Sequence, residues 1–462
     1  MASNPTIPTE LGTEKIGKLL KQYALPAIIA QTASSLYNMV DSIFIGQGVG
    51  PLAISGLAVT FPLMNLSTAF GTLVGAGAAT MLSVLLGQKN YKAASKVLGN
   101  VVSLNIIIGV IFMVLALIFI DPILYFFGAS ENTLPYAKEY MKIILYGNVI
   151  THLYFGLNAA MRSSGSPKKA MGLTIFTVLF NTILDPIFIF VFDMGIAGAA
   201  WATVLAQFVA MIVVLRHFDD RSRAFHFEKG IVRLDRRVAK DSLAIGLGPF
   251  LMHAAACLVT LFINQQLRTY SGDLGIGAYG ICNRLIFMFM MICMGLNQGM
   301  QPIAGYNYGA RQYSRVKEVF WKTAGLAMIV TTLCFIVGVF FPRAAAGIFT
   351  HDKELLDLSE EGLRLMTLIF PIVGFQMIGT NFFQSLGMVK KSVFLSLSRQ
   401  ILFLLPLLYI LPLHMGAKGV WLSFPISDFI ASVLTIILLL SLFRKFNKLN
   451  DGDDPTVLGS QI

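Results

Sequence analysis

The chain has 462 residues, of which 56% are hydrophobic and only 13% are charged, and its formal net charge is +11. A soluble domain carries about a quarter charged residues, so this composition excludes an ordinary soluble globular protein. The sequence contains no GxxxxGK[ST], HExxH or GxSxG motif and no CxxC pair, which argues against a P-loop ATPase and indicates neither an enzyme nor a cofactor site.

Apolar runs long enough to cross a bilayer, about 20 residues each, follow one another along the chain. The first fourteen residues are polar, so we expect no cleaved signal peptide and a first span that is retained. Clusters of Gly, Pro and charged residues separate twelve segments: 15–46, 52–82, 94–120, 135–160, 169–191, 195–215, 241–268, 275–303, 315–341, 361–387, 391–413 and 418–443. The sequence therefore predicts an all-α polytopic membrane protein with twelve transmembrane helices.

The basic residues predict the orientation of these helices. If the N-terminus is cytoplasmic, most of the 35 Lys and Arg residues fall in inner segments, as the positive-inside rule requires. The positive charge then reflects membrane topology, so we expect no nucleic-acid partner and two cytoplasmic termini. The predicted divisions are a tail (1–14), an N-lobe (15–215), a basic cytoplasmic linker (216–240), a C-lobe (241–443) and a C-terminal tail (444–462).

The two halves of the chain form an internal repeat with an offset of about 222 positions. Gly87 aligns with Gly309 and Gly165 with Gly387, and a one-residue slip aligns Pro26 with Pro249. Each half has an even number of spans, so the second copy inserts in the same orientation as the first. The lobes are then related by a pseudo-twofold axis along the membrane normal, with a substrate cleft expected between them.

Two carboxylates lie inside predicted spans of the first half. An ionisable side chain at this depth costs roughly 2.5–3.5 kcal/mol on insertion scales, so it needs a reason to be there. Asp41 in the first span and Asp185 in the fifth are each five or six residues from the outer end, at a depth of roughly 8–9 Å. Asn181 lies one turn before Asp185, Thr203 lies a little deeper in the sixth span, and Tyr37 and Asn38 share a face with Asp41.

These oxygen-bearing side chains favour a shared cation site. Two carboxylates in a partly dry pocket repel each other, which favours protonation of one of them near neutral pH. Asp41, Asn181, Asp185 and Thr203 would equally suit a hard cation such as Na⁺. The alternative is a buried, hydrogen-bonded group that only fixes helix packing.

Other polar or helix-bending residues have open interpretations. Pro26, near the inner end of the first span, predicts a kink that either bends during transport or stays fixed. Arg284 in the eighth span is either a structural ion partner or a contact for a substrate anion. His253 in the seventh span is either a core histidine or a proton relay.

The segment from Leu36 to Gly46 (LYNMVDSIFIG), the Gly-Leu-Ala at 56–58 and the Gly-Gln-Lys at 87–89 resemble the multidrug and toxic compound extrusion (MATE) family. The Asn181-Thr-Ile-Leu-Asp-Pro186 motif, followed by Gly195, Gly198 and Trp201, resembles it too. This resemblance implies a bacterial inner-membrane exporter of bulky, mostly cationic organic compounds, driven by inward H⁺ or Na⁺ flow through alternating access. It implies a monomer whose partners are these compounds and membrane lipids.

Within the family, the sequence resembles the DinF-like branch, whose coupling residues fall on Asp41, Asn181, Asp185 and Thr203, and whose bending proline falls on Pro26. The NorM-like branch has further acids in its seventh and tenth helices. Here those regions read Met252–Cys257 and Gln376–Asn381 and contain none. Candidates for the substrate cavity are Tyr37, Asn38, Asn158 and Arg284.

Two other functions remain as alternatives. A flippase for lipid-linked oligosaccharides would share the architecture but would need a strongly cationic cleft, and Arg284 is the one clear cation within a predicted span. A channel or receptor would need no duplicated lobes.

Overall fold

The computed structural model of the chain describes residues 9–220, 226–227, 234–349 and 352–453. The side chains of residues 36–40, 42–43, 46–47, 51, 54–55 and 273 lie outside this description. All regular secondary structure in the described residues is helical, as the composition predicts.

Twelve long helical segments follow the order of the twelve predicted spans. Their bounds are α1 Ile16–Gly48, α2 Pro51–Gly87, α3 Tyr91–Ile118, α4 Leu134–Tyr146 with Asn148–Ser163, α5 Pro167–Val191, α6 Gly195–Asp219, α7 Arg236–Gly272, α8 Leu274–Gly309, α9 Tyr313–Phe340, α10 Lys353–Met366 with Phe370–Ser385, α11 Val389–Met415 and α12 Ala417–Phe446. Short helices in the described part of the chain cover Glu10–Thr13, Ile120–Phe126 and Pro342–Gly347.

Nine of these helices are each apolar and long enough to cross a membrane within the described residues. The two parts of α10 pass the same test together, although they are bent by 58°. The other two segments, α1 and α4, coincide with the predicted first and fourth spans. The twelve-helix prediction is therefore confirmed in helix order and number, with longer helices than the hydropathy alone indicated.

Besides the bend of α10, three more of the long segments contain irregularities that the sequence did not predict. α4 is interrupted at Gly147, where a Cβ atom would collide with the Val204 side chain of α6. α5 ends in the π-helix Ile187–Val191, directly after Pro186, and α11 contains the π-helix Ser398–Leu404. A π turn widens the helix by one residue and is frequent at functional sites.

Backbone angles confirm the internal repeat. Lys89 and Arg311 both adopt the left-handed conformation, with φ of 59° and 58°, at matching turns before α3 and α9. Gly165 and Gly387 match in the same way, with φ of 92° and 72°. Non-glycine residues rarely adopt positive φ, so equal angles at equal spacing show the same loop geometry in both halves.

The described helices form two compact units. Unit 1 contains the described parts of Met1–Thr13 and Ile29–Phe250. Unit 2 contains the described parts of Glu14–Ile28 and Leu251–Ile462. A boundary between the two units therefore lies within α1, between Ile28 and Ile29, and another lies within α7, between Phe250 and Leu251.

Each unit has its own apolar core. In unit 1, one cluster centres on Leu63, Leu124 and Leu145 and joins α2, α3 and α4. In unit 2, Trp421 packs with Cys282 and other fully buried side chains. The four cysteines are free, and three of them are buried, consistent with their interpretation as small apolar core residues.

Candidate ion-binding site

Asp41 and Asp185 are both buried within unit 1. Asp41 on α1 is 5% exposed and Asp185 on α5 is fully buried. The carboxylates lie close enough to interact electrostatically. Neither forms a salt bridge with a described Lys, Arg or His, and Asp41 Oδ1 and Asp185 Oδ2 have no hydrogen-bond partner there. Buried charges are normally paired, so two acids without a charged partner make this cluster a candidate site for a cation or a proton.

Asn181 connects Asp185 to α6. It lies one helical turn before Asp185, and its Nδ2 lies 3.4 Å from Asp185 Oδ1 and 3.3 Å from Thr203 Oγ1. The Asn181 Oδ1 atom is buried without a hydrogen-bond partner among the described residues. The structure thus brings together all four residues that the sequence assigned to ion coupling.

Tyr140 on α4 is a fifth member of this group, and the sequence analysis missed it. It is 1% exposed, interacts electrostatically with Asp41 and Asp185, and its hydroxyl hydrogen-bonds with Thr203. Its position offered a signal, because Tyr140 lies five residues from the outer end of the predicted fourth span, as Asp41 does in the first. A tyrosine at that position is also typical of a membrane interface, so the sequence alone did not single it out as a site residue.

An apolar layer lies four residues beyond each acid, at Ile45 on α1 and at Ile189 on α5. Ile45 and Ile189 are buried in one cluster with Tyr140 and residues of α6. The Gly48 position of α1 faces the Ile189 side chain so closely that a Cβ atom would collide with it. The π-helix that carries Ile189 begins directly after Pro186, so the irregular backbone positions this layer beside Asp185.

The oxygen set fits a proton or a hard monovalent cation. Asp41 Oδ1, Asn181 Oδ1 and Asp185 Oδ2 are buried acceptors without partners in the described chain, and Thr203 adds a hydroxyl. Carboxylate, amide and hydroxyl oxygens are the ligands that hard cations prefer. No cluster of three or more His, Cys, Asp or Glu residues occurs in the described part, so nothing there resembles a transition-metal site.

The remaining sequence candidates lie elsewhere or outside the description. Asn158 is buried on α4 and donates a hydrogen bond to the Ala170 carbonyl 3.2 Å away. Arg284 is exposed on α8 and forms no ion pair with a described residue. His253 is half-buried, and Pro26 is buried within α1. The side chains of Tyr37 and Asn38 lie outside the described residues.

The carboxylate of Asp428, the acid of α12, is neutralised. Asp428 is buried and accepts a hydrogen bond from Arg399 Nε at 2.7 Å. Arg399 lies in the π-helix of α11, and its carbonyl accepts a hydrogen bond from the Ser427 hydroxyl. Unit 2 therefore holds a paired charge at the α11–α12 contact, whereas unit 1 holds Asp41 on α1 and Asp185 on α5 without a charged partner among the described residues.

Comparison with known proteins agrees with this geometry. The MatE family model matches the chain twice, at residues 26–187 and 249–410. The two matches correspond to the two halves of the internal repeat. Multidrug export protein MepA of Staphylococcus haemolyticus (strain JCSC1435) is 27% identical over 427 residues, which cover 92% of this chain and 94% of MepA. MepA of Staphylococcus aureus (strain MRSA252) is 26% identical over 422 residues, covering 91% of this chain and 93% of that protein.

Solved structures show the same fold. The MATE multidrug transporter DinF-BH is 34% identical, superimposes with a TM-score of 0.87 and covers the full length of both chains. An outward-facing multidrug resistance MATE family transporter of the MOP superfamily is 22% identical, with a TM-score of 0.90 over 96% of this chain and 100% of that one. With its twelve helices and its two family matches, the chain belongs to the MatE family of membrane transporters.

Proposed function

We propose that the protein is a secondary active multidrug efflux transporter that exports bulky, mostly cationic organic compounds in exchange for H⁺ or Na⁺. The observation that carries this proposal is the buried pair Asp41 and Asp185, with acceptor oxygens that have no partner among the described residues. Such a pair binds a cation or a proton more tightly than any neutral ligand, because binding removes an uncompensated buried charge.

The coupling follows from electrostatics. A cation that enters from the outer side neutralises the acids and lowers the cost of keeping them in the membrane. Its release to the inner side restores the charge, and the two charge states favour different arrangements of the helices. Alternating access then exchanges ions for substrate, with Asn181, Thr203 and Tyr140 orienting the carboxylates.

The relatives support multidrug export as the activity. MepA is named as a multidrug export protein, and DinF-BH is described as a MATE multidrug transporter. The 34% identity with DinF-BH, together with the absence of acids from Met252–Cys257 and Gln376–Asn381, supports placement in the DinF-like branch. The relatives are named as export proteins, in agreement with the prediction that this chain is not an enzyme.

The cellular setting is part of the proposal. The chain is a multi-pass membrane protein, and its bacterial relatives favour the cytoplasmic membrane. The distribution of Lys and Arg favours two cytoplasmic termini. We propose that it works as a monomer in contact with lipids, and that Tyr37, Asn38, Asn158 and Arg284 contribute to the substrate cavity.

The test is transport by purified protein in liposomes, with the pH and Na⁺ gradients imposed independently. Expulsion of a fluorescent organic cation under one gradient, and its absence without a gradient, is expected. The gradient that drives the flux identifies the coupling ion. No gradient-driven flux under either condition, or single-channel currents in planar bilayers, would overturn the proposal.

A further inference from the structure

The two compact units exchange the inner ends of two helices. Residues Glu14–Ile28, the first part of α1, belong to unit 2, while α1 from Ile29 onward belongs to unit 1. The first part of α7 up to Phe250 belongs to unit 1, and α7 from Leu251 onward belongs to unit 2. These crossings occupy equivalent positions of the internal repeat.

A proline lies directly before each crossing. Pro26 precedes the α1 crossing by two residues, and Pro249 precedes the α7 crossing by one. A proline inside a helix removes one backbone hydrogen bond and weakens the helix there. Each helix is therefore weakened close to the residue at which it passes from one unit into the other.

Within unit 2, the α1 segment is held by close packing against α8. Gly295 and Gly299 lie one helical turn apart on α8 and face the backbone of Ile28 and Ala24. A Cβ atom at Gly295 would lie 2.6 Å from the Ile28 Cα, and one at Gly299 would collide with Ala24. Two small residues spaced by four let membrane helices approach to backbone contact, which fixes their relative position.

A polar contact adds to this packing at the start of α1. Arg315 on α9 donates from Nη2 to the Glu14 carbonyl at 2.6 Å and from Nε to Asn307 Oδ1 at 2.7 Å. Hydrogen bonds from a charged donor are stronger than those between neutral groups. The segment is thus fixed at both of its ends, by Arg315 at Glu14 and by the two glycines at Ala24 and Ile28.

The equivalent α7 segment is held within unit 1 in the same manner. Gly246 of α7 and Gly77 of α2 are so close to the backbone of the opposite helix that a Cβ atom at either would collide with a carbonyl oxygen. At the start of the segment, Lys96 pairs with Asp235 at 3.3 Å. At its end, the Phe250 ring lies 4.8 Å from the Phe70 ring.

The outer part of α1 carries Asp41, which is buried in unit 1 beside Asp185. One continuous helix therefore has its inner end fixed in unit 2 and its ion-binding carboxylate in unit 1. We propose that Gly295, Gly299 and Arg315 are positioning residues for ion coupling, because they make residues 14–28 part of unit 2 and so link the charge state of Asp41 mechanically to that unit. This inference rests on the proposed antiport function.

Distance measurements between spin labels test the proposal directly. In full-length protein with its four cysteines replaced by serine, cysteine pairs are introduced at exposed lysines: Lys21 with Lys390, Lys21 with Lys168, and Lys168 with Lys390. Pulsed electron spin resonance in liposomes then compares acidic with alkaline buffer, and Na⁺ with its absence. The Lys168–Lys390 pair reports the transport conformational change, since its members belong to different units.

The expected result is a constant Lys21–Lys390 distance and a Lys21–Lys168 distance that changes together with the Lys168–Lys390 distance. A constant Lys21–Lys168 distance with a changing Lys21–Lys390 distance would overturn the inference and leave the antiport proposal intact. A Lys168–Lys390 distance that stays constant in every condition would overturn the proposed alternating access, and the inference with it.

Mutation of Arg315 provides a second, independent readout. Arg315→Gln should lower the gradient-driven rate at least about fivefold, the lower range of typical coupling between sites, while substrate affinity stays unchanged. Arg315→Lys, which keeps a cationic donor, should recover part of the rate. Lys317→Gln is the matched control, because Lys317 lies on the same helix but bonds to Asn447. A wild-type rate for Arg315→Gln, or equal losses of rate and affinity, would contradict a positioning role.

Discussion

The side-chain amide of Asn181 lies 3.4 Å from the carboxylate of Asp185, one turn further along the same helix. Asn181 also contacts Thr203 of the next helix, so the orientation of Asp185 depends on two neighbours. A second Asp185 oxygen and one oxygen of Asp41 have no partner in the described residues. Asn181 thus fixes one oxygen of Asp185, and the unpartnered oxygens are the ones that the proposed function assigns to an ion.

Neutralising either acid should abolish coupling. We expect Asp41→Asn and Asp185→Asn to lower gradient-driven efflux by at least about tenfold, because an amide cannot release a proton and binds a cation weakly. Efflux of a fluorescent cation from liposomes measures the effect. Asp193→Asn is the matched control, since Asp193 is exposed after the π-helix with φ of 52°, a conformation that asparagine also tolerates. Wild-type transport by Asp41→Asn would contradict the assignment of Asp41 as a coupling acid.

Removing the hydroxyl of Tyr140 should weaken ion binding without destroying it. Tyr140→Phe keeps the buried ring but loses the hydrogen bond with Thr203 and the polar group beside both acids. A hydrogen bond between neutral groups is worth about 0.5–1.5 kcal/mol, so the ion concentration for half-maximal transport should rise about two- to tenfold. The maximal rate at saturating ion should change much less. Tyr146→Phe, at an exposed tyrosine of the same helix, should leave both values unchanged.

The Arg399–Asp428 pair should show strong non-additivity in stability. Arg399→Met leaves a buried carboxylate unpaired, which costs about 3–5 kcal/mol for buried pairs and less here, because the Arg399 side chain is 28% exposed. The double variant Arg399→Met with Asp428→Leu should recover most of the loss. Thermal unfolding in detergent measures all four proteins. Equal and additive losses would contradict an ion pair that matters to the fold.

Replacing glycine by alanine should lower stability where two helices are in close contact and raise it where the position is open. Gly246→Ala places a Cβ atom against the Leu73 carbonyl, so we expect a loss of stability of about 1–3 kcal/mol from overpacking. Gly325→Ala on α9 meets nothing within 4 Å and should stabilise the protein by up to about 1 kcal/mol. Melting temperatures of both variants in one detergent provide the comparison, and a destabilised Gly325→Ala would contradict it.

Asp235 caps the start of α7 by accepting a hydrogen bond from the Val238 backbone amide. We expect this cap to keep stabilising the fold at moderately acidic pH. Hydrogen bonds from the backbone amide of Val238 and from the Lys96 side chain lower the pKa of Asp235 below its usual value of 3.8. A lowered pKa means that the cap stabilises the fold above pH 3.8 and is lost as the pH falls through the lowered value. The difference in melting temperature between wild type and Asp235→Ala should therefore stay constant from about pH 8 to about pH 5. A difference that shrinks within this range would contradict the prediction.

The twelve helices and the acid cluster could be predicted because their causes are local. Bilayer thickness sets the length of each apolar run. A carboxylate inside such a run can be recognised from the sequence, because its insertion into the membrane costs free energy. The equal depth of Asp41 and Asp185 then suggested a common site, and Asn181 followed from the turn spacing of α5.

The missed features depend on neighbours in space. The close approach of the Val204 side chain to Gly147, where α4 is interrupted, involves another helix and is not revealed by hydropathy. The role of Tyr140 required the position of Thr203. The pairing of Asp428 with Arg399, which lies in the π-helix of α11, joins two helices and could not be read from the sequence. The order of the spans in the sequence does not indicate that the two units exchange helix ends.

That exchange resembles the swapping of a terminal helix between identical subunits. If the two halves of the repeat were separate chains, each would donate the inner end of its first helix to its partner, through the contacts that Gly299 and Gly246 now make. Such a pair of chains would be interlocked, because each would hold one end of its partner's first helix. Two fragments produced by a cut within residues 216–240 should therefore still associate when they are synthesised together, because the exchanged helix ends would hold them to each other.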